Sequence, residues 1–439
     1  MSIHSRRAFT IHNYEAPIGQ LPVELLTDIF HIGLQEYSLE DHRAIKHLGT
    51  IASTCSAWRD AALGTPSLWQ RIIYEERHGA VPKSKSKGRE IPRHTKDRLL
   101  AYLLRSKGCN ILLHLGFSHN TRRTQAIKKV VYPHLPRCLE ISLSFAMEHD
   151  MKYLLPLPGN LCRLTKFTCV VHFADLDRRL EHPPIFVEPE TITLRKLTLN
   201  RARPSLLSVG TQDIEHVRFS QHCNRWPEGA TFISRCHSLT TLIISDDFPF
   251  GTDRSTAPFT LPNLIHLDIV GFEMLRASNT PNLQTLIIRE GYGGNFCGTV
   301  NPMPSWSALT TLIILYTNMD TAEIISLLVL NPGIKRLELF DCIGIDYIVQ
   351  LLKGDDTGGT GGTANIHGTT LLPSLSLLRV WDSTTPGGGG FQPLFARRPT
   401  LRIEHDERHR IHADDFEMTV EELNQNDEPG VFWLRPECP

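Results

Sequence analysis

The 439-residue sequence has almost no excess charge: 46 Lys and Arg against 47 Asp and Glu leave a formal net charge of −1. A chain-wide attraction to nucleic acid or to a membrane surface is therefore not expected. Ten cysteines are scattered without a Cys-x-x-Cys pair, which removes the commonest zinc and thiol-redox spacings. No apolar run approaches the roughly 18 residues that a membrane helix needs. The first residues, Met1-Ser-Ile-His-Ser-Arg-Arg7, lack the apolar core of a secretory leader. The expectation is a cytoplasmic or nuclear chain whose thiols stay reduced and pack as small hydrophobes. Catalytic signatures are missing too. There is no Gly-x-Ser-x-Gly elbow and no His-Glu-x-x-His pair. The glycine-rich stretch at 354–370 lacks the Gly-Lys-Ser/Thr ending of a phosphate-binding loop and reads as a flexible surface loop.

What the sequence does contain is a ladder. Leu-x-x-Leu-x-Leu, with apolar swaps, recurs at Leu194-Leu197-Leu199, Ile214-Val217-Phe219, Leu239-Leu242-Ile244 and Leu264-Leu267-Ile269. It continues at Leu283-Leu286-Ile288, Leu309-Leu312-Ile314, Ile334-Leu337-Leu339 and Leu375-Leu378-Val380. Successive first positions lie 20, 25, 25, 19, 26, 25 and 41 residues apart. Leucine-rich repeats recur every 20–29 residues or so, and all but the last step fall in or beside that range. One short strand cannot bury its apolar side alone, so such units stack side by side. Helix–strand patterns from Leu99 to Leu143, and a poorer copy at Leu161-Leu164-Phe167-Cys169, read as degenerate first units.

Five segments follow from this reading. Residues 1–16 are a loose leader, 17–74 a compact helical module, and 75–97 a basic linker carrying Lys83, Lys85, Lys87 and Arg89. Residues 98–403 form the repeat region, with 354–370 as its glycine-rich interruption. Residues 404–439 form an acidic tail that includes Asp414, Asp415, Glu417, Glu421 and Glu422. The fold class expected is α/β: an all-α module followed by a curved parallel sheet with helices and loops outside.

The helical module begins Leu21-Pro-Val-Glu-Leu-Leu-Thr-Asp-Ile-Phe30. Pro22 suits a first helical position, and Glu24 favours the helix dipole. The i, i+4 spacing places Leu25, Leu26, Ile29 and Phe30 on one face. A second helix is predicted through Ile45, Leu48, Ile51, Cys55 and Trp58, ending by Gly64. Pro66 then restarts the chain before Leu68 and Trp69.

Leu21-Pro-x-Glu-Leu-Leu-x-x-Ile-Phe30, Ala52-x-x-Cys-x-x-Trp-Arg-Asp-x-Ala61 and Thr65-Pro-x-Leu-Trp69 together resemble the F-box motif, in the form seen in large fungal families. A polar stretch from Gln35 to His47 departs from that pattern. The resemblance covers residues 17–73. It implies a substrate receptor of an SCF-type cullin-RING ubiquitin ligase, in which the F-box packs against a Skp-type adaptor and the adaptor binds the cullin. Carried over, Leu21 and Pro22 start the adaptor contact, and Leu25, Leu26, Ile29 and Phe30 supply the first helix. Trp58, Leu68 and Trp69 divide between adaptor contact and the module's own core.

The other expected partner is a client protein of unknown identity. In each repeat strand the leucines point inward and the intervening residues face the other way. Those residues are Arg218, Ile243, Asp268, Ile287, Arg289, Ile313, Leu315, Glu338, Phe340, Arg379 and Trp381. They read as an apolar stripe flanked by charge, suited to protein docking. The alternative is that loops or the acidic tail cover them. Only Cys342 occupies the expected polar position three places after the last leucine, so the repeats are divergent.

His405-x-x-x-His409-x-x-His412 could place three imidazoles on one helical face. It lies in a charged run without apolar context, so a solvated segment is favoured. No metal, cofactor or catalytic residue is expected. Two alternatives to the ligase receptor remain. One is a repeat scaffold acting outside any ligase. The other is a metal-dependent enzyme using these histidines.

Overall fold

This computed structural model describes residues 21–37, 41–76, 93–118, 121–158, 160–173, 184–186, 192–204, 207, 210–220, 226–245, 259–270, 278–289, 305–315, 321–340, 342, 348–349, 351–352, 371–381, 394, 398 and 400–406. The leader, the glycine-rich loop, most of the basic linker and all of the acidic tail after residue 406 lie outside them. The chain divides into two units, Met1–Leu309 and Thr310–Pro439.

The first unit opens with helix α1 (Val23–Gln35), begun by Pro22. Helix α2 (His42–Thr54) is capped by Asp41, whose side chain accepts from the Arg43 N–H at 2.7 Å. Sequence spacing predicts that this helix runs on through Trp58. It stops at Cys55, where the backbone is extended, and α3 (Ser56–Gly64) starts afresh. At the break the Ser53 and Thr54 hydroxyls both donate to the Thr50 carbonyl at 2.9 Å. Cys55 Sγ then accepts from the Trp58 N–H at 3.5 Å as the new cap. A 3-10 turn, Pro66–Trp69, closes the module. Its core is Leu26, Phe30 and Leu34 of α1, Ala44, Leu48 and Ile51 of α2, Ala61 and Ala62 of α3, and Leu68 and Trp69. The Trp69 indole N–H donates to the Ala62 carbonyl at 2.8 Å, so the large ring is buried without losing its polar partner.

Strand β1 (Arg71–Glu75) follows at once and pairs in parallel with β2 (Ile111–Phe117). Four of the five residues of this strand therefore lie within the span 17–74 assigned to the helical module. The basic segment enters after that strand, before α4 (Arg93–Arg105). Helix α4 returns to the module: the Tyr102 ring centroid is 5.4 Å from that of Trp69, and the Arg105 guanidinium lies 4.5 Å over the same indole.

Helix α5 (Thr121–Val131) leads to β3 (Cys138–Met147), a short helix α6 (Met151–Leu154) follows, and then β4 (Lys166–Phe173), β5 (Lys196–Asn200) and β6 (His216–Ser220). Helix α7 (Trp226–Ile233) precedes β7 (Thr241–Ile244). The two-residue strands β8 (Phe259–Thr260) and β10 (Ser278–Asn279) pair with each other, and alternate with β9 (His266–Val270) and β11 (Thr285–Arg289). Every sheet pairing from β1 to β7, β9 and β11 is parallel. The register places Ile72, Leu113, Ile141, Phe167, Leu197, Val217, Leu242, Leu267 and Leu286 in one row. All of them are buried.

In the second unit β12 (Thr311–Leu315), β13 (Arg336–Phe340), β14 (Leu377–Trp381) and β15 (Arg402–Asp406) are parallel neighbours, with α8 (Thr321–Leu330) between β12 and β13. All twenty-four ladder positions named from the sequence, in both units, are buried. Their first leucines sit in the turns that enter the strands, as in Leu264 N–H to Leu261 O at 3.3 Å. Fully burying each such side chain is worth about 1.5–3 kcal/mol, which is what fixes the register strand after strand. Polar side chains reinforce the stacking. Asn263 and Asn282 donate to the carbonyls of His237 and Pro262 at 2.8 and 2.7 Å. Buried Cys342 sets its thiol 3.5 Å from the Ile314 carbonyl.

Candidate functional site

Helix α1 is apolar on two sides, and the structure separates them. Leu26, Phe30 and Leu34, four residues apart, face the module's core. Leu25, Ile29 and Ile32 are 49%, 46% and 63% exposed. Val23, at the helix start, is also exposed. The sequence reading put Leu25, Leu26, Ile29 and Phe30 on a single face. Successive helical residues differ by about 100°, so the adjacent pairs split, one member inward and one outward. Val23 and Ile32 were missed. The signal for Ile32 was present: Leu25, Ile29 and Ile32 follow i, i+4, i+7, a second stripe.

The other residues of the motif are placed as follows. Leu21 packs at the margin of the core and Pro22 is exposed. Leu68 and Trp69 are buried in the core. Trp58 is half-buried against it, its ring 5.1 Å from Phe30 in an edge-on arrangement. Polar bonds hold α1 on its platform, with His31 Nε2 2.8 Å from Ser67 Oγ and Thr27 Oγ1 3.3 Å from Thr65 Oγ1.

The face read as a client surface is more closed than its sequence pattern suggests. In the first unit Arg218, Ile243, Asp268 and Ile287 do share one row. Arg218 and Ile243 are half-buried, whereas Asp268 and Ile287 are buried. Arg289 holds both Asp268 oxygens, Nε at 2.8 Å and a terminal nitrogen at 2.7 Å. In the second unit Ile313, Glu338 and Arg379 share a row, and Leu315, Phe340 and Trp381 the next. Ile313, Leu315, Glu338 and Phe340 are buried. Arg336 and Arg379 both reach Glu338 Oε1, at 2.5 and 3.1 Å. The acids of this face are thus tied up by its own arginines. The Trp381 side chain lies outside the described residues.

Burial pushes the thiols of Cys138, Cys169 and Cys236 up to about 12, so these packed side chains carry no thiolate chemistry near neutrality. Burial also lowers the His266 imidazole; neighbouring Asp268 opposes that shift and Arg289 adds to it. Among the described residues no three His, Cys, Asp or Glu side chains converge to hold a metal ion. His405 lies in β15, where alternation replaces helical spacing; His409 and His412 lie outside the described residues. No helix among the described residues is long and apolar enough to cross a membrane.

No curated protein matches the chain. Residues 18–75, the segment whose first helix turns Leu25, Ile29 and Ile32 outward, match the family model described as F-box-like.

Proposed function

We propose that the chain is the substrate-recognition subunit of an SCF-type cullin-RING ubiquitin ligase. F-box domains bind Skp-type adaptors within cullin complexes, and the outer stripe of α1 is the surface offered to such an adaptor. The single observation that carries this reading is that stripe: three large apolar side chains, about half exposed or more, on a helix whose opposite side already fills a core. A helix apolar on both sides is expected where a second layer will cover it.

The sheet is the proposed client side. Its ladder, its parallel register and its inter-strand Asn and Cys bonds support stacked leucine-rich repeats. Among the described side chains, half-buried Arg218, Ile243 and Arg289 in the first unit, and Arg379 in the second, are the proposed docking residues that keep solvent contact. The mechanism is geometric. The helical module binds the ligase and the sheet binds the client, which raises the effective concentration of client lysines beside the conjugating enzyme. The chain contributes no chemical step.

Affinity capture of the full-length chain, followed by identification of the retained proteins, tests the reading. Adaptor and cullin should both be retained by the wild type and lost together when Leu25 and Ile29 are changed to Ala. A chain that retains neither, or whose variant retains both, is not a ligase receptor of this kind.

A further inference from the structure

Glu75 ends β1, and its side chain folds over Gly116 of β2: a methyl group at Gly116 would lie 2.7 Å from Glu75 Cγ. Its two carboxylate oxygens then diverge. Oε2 is 2.5 Å from Nε2 of His42, the first residue of α2. Oε1 is 3.6 Å from Nε2 of His114 in β2. His114 is 3% exposed, and its Nδ1 is 3.0 Å from Ser142 Oγ in β3. A single carboxylate thereby joins the start of a helix in the module to two imidazoles and three consecutive strands. The surrounding charges have their own partners. Asp41 and Arg43 pair with each other at 2.7 Å. Glu76 pairs with Arg123 of α5, and Glu140 of β3 with Lys166 of β4, both at 2.8 Å. Arg71 bonds the Tyr37 carbonyl.

We propose that His42, Glu75 and His114 form a protonation-dependent staple, which tightens the helical module against the first strands of the sheet as pH falls through the imidazole range. Histidine is the side chain whose charge ordinarily changes between about pH 5 and 8. With Glu75 ionised its bond to an imidazole is already charge-assisted, and an imidazolium adds the attraction between opposite charges. Burial raises the Glu75 carboxyl, but the bonds and charges of His42 and His114 outweigh it and hold the group below its ordinary range. Glu75 is thereby held as the carboxylate that both imidazoles face, and the staple opens at low pH, where Glu75 is itself protonated. The device does not depend on what the outer stripe of α1 binds.

Hydrogen exchange of the full-length chain, corrected for intrinsic rates, tests this at about pH 8 and about pH 5.5. In the wild type, residues 41–50 should be about two- to fivefold better protected at the lower pH, the range expected of a partly exposed ion pair. Glu75→Gln should abolish the difference, as should Gly116→Ala, which displaces the Glu75 side chain. His42→Gln changes a side chain that is 44% exposed, so the fold survives and the difference in 41–50 should still vanish. Protection of β3 should be the same in all four proteins. Equal protection of wild-type residues 41–50 at both pH values, or a difference that survives His42→Gln, overturns the staple.

Discussion

Leu25 and Leu26 are consecutive, yet the first is 49% exposed and the second only 3%. Leu26 shares the core with Phe30 and Trp69, while Leu25 shares the outer stripe with Ile29 and Ile32. The two leucines therefore have different work, and substitutions at them should separate.

Phe30→Ala should destabilise the helical module by about 3–5 kcal/mol, the usual cost of emptying an aromatic core position. Leu26→Ala should cost about 2–5 kcal/mol. Leu25→Ala, on the solvent side, should stay within about 0.5 kcal/mol of the wild type. Urea unfolding of the three variants measures this, and a Leu25→Ala loss equal to that of Leu26→Ala would place both side chains in the core.

Arg289→Ala should be among the most damaging changes on the open sheet face. It strands Asp268, which is 2% exposed and takes both of its strong bonds from that guanidinium. Removing one partner of a buried pair costs about 3–5 kcal/mol. Arg289→Ala combined with Asp268→Ala should recover part of the loss, and a double-mutant cycle in urea measures the coupling.

The buried thiols make a pH-signed prediction. In the folded chain Cys138, Cys169 and Cys236 remain thiols up to about 12, whereas in the unfolded chain they ionise near 8.5 or so. A group whose folded value is raised stabilises fully below the unfolded value and loses that stabilisation as pH rises. Stability should therefore fall between about pH 8.5 and 12. Alkylation near neutrality should label exposed Cys162 first and leave these three unmodified until denaturant is added.

Much of the sheet was legible because each strand buries the same two positions, and a strict Leu-x-x-Leu-x-Leu spacing leaves one register in which all copies are covered. The outer stripe was half legible. Leu25 and Ile29 were named, but the i, i+4 rule pairs residues without saying which pair turns inward. The tertiary core that Leu26 and Phe30 enter decides that. The break at Cys55 was hidden because Ile45, Leu48, Ile51 and Trp58 keep helical spacing across it, and the extended Cys55 that caps α3 leaves no mark on that spacing. Strand β1 was hidden because its residues read as the end of the helical module, and its pairing with β2 identifies it. Asp268 and Glu338 read as docking charges because strand alternation does not reveal that Arg289 and Arg379 lie on neighbouring strands within reach, or that Arg336, two residues before Glu338 on its own strand, turns to the same carboxylate.

The outer stripe of α1 is the surface proposed to receive a Skp-type adaptor. Titration calorimetry of the purified full-length chain with such an adaptor tests it most directly, using the wild type and an Ile29→Glu, Ile32→Glu variant whose unfolding midpoint in urea is checked alongside. The account predicts a one-to-one complex for the wild type and none for the variant, with the midpoint unchanged. A wild type that gives no binding heat, or a stripe variant that binds as tightly as the wild type, would contradict it.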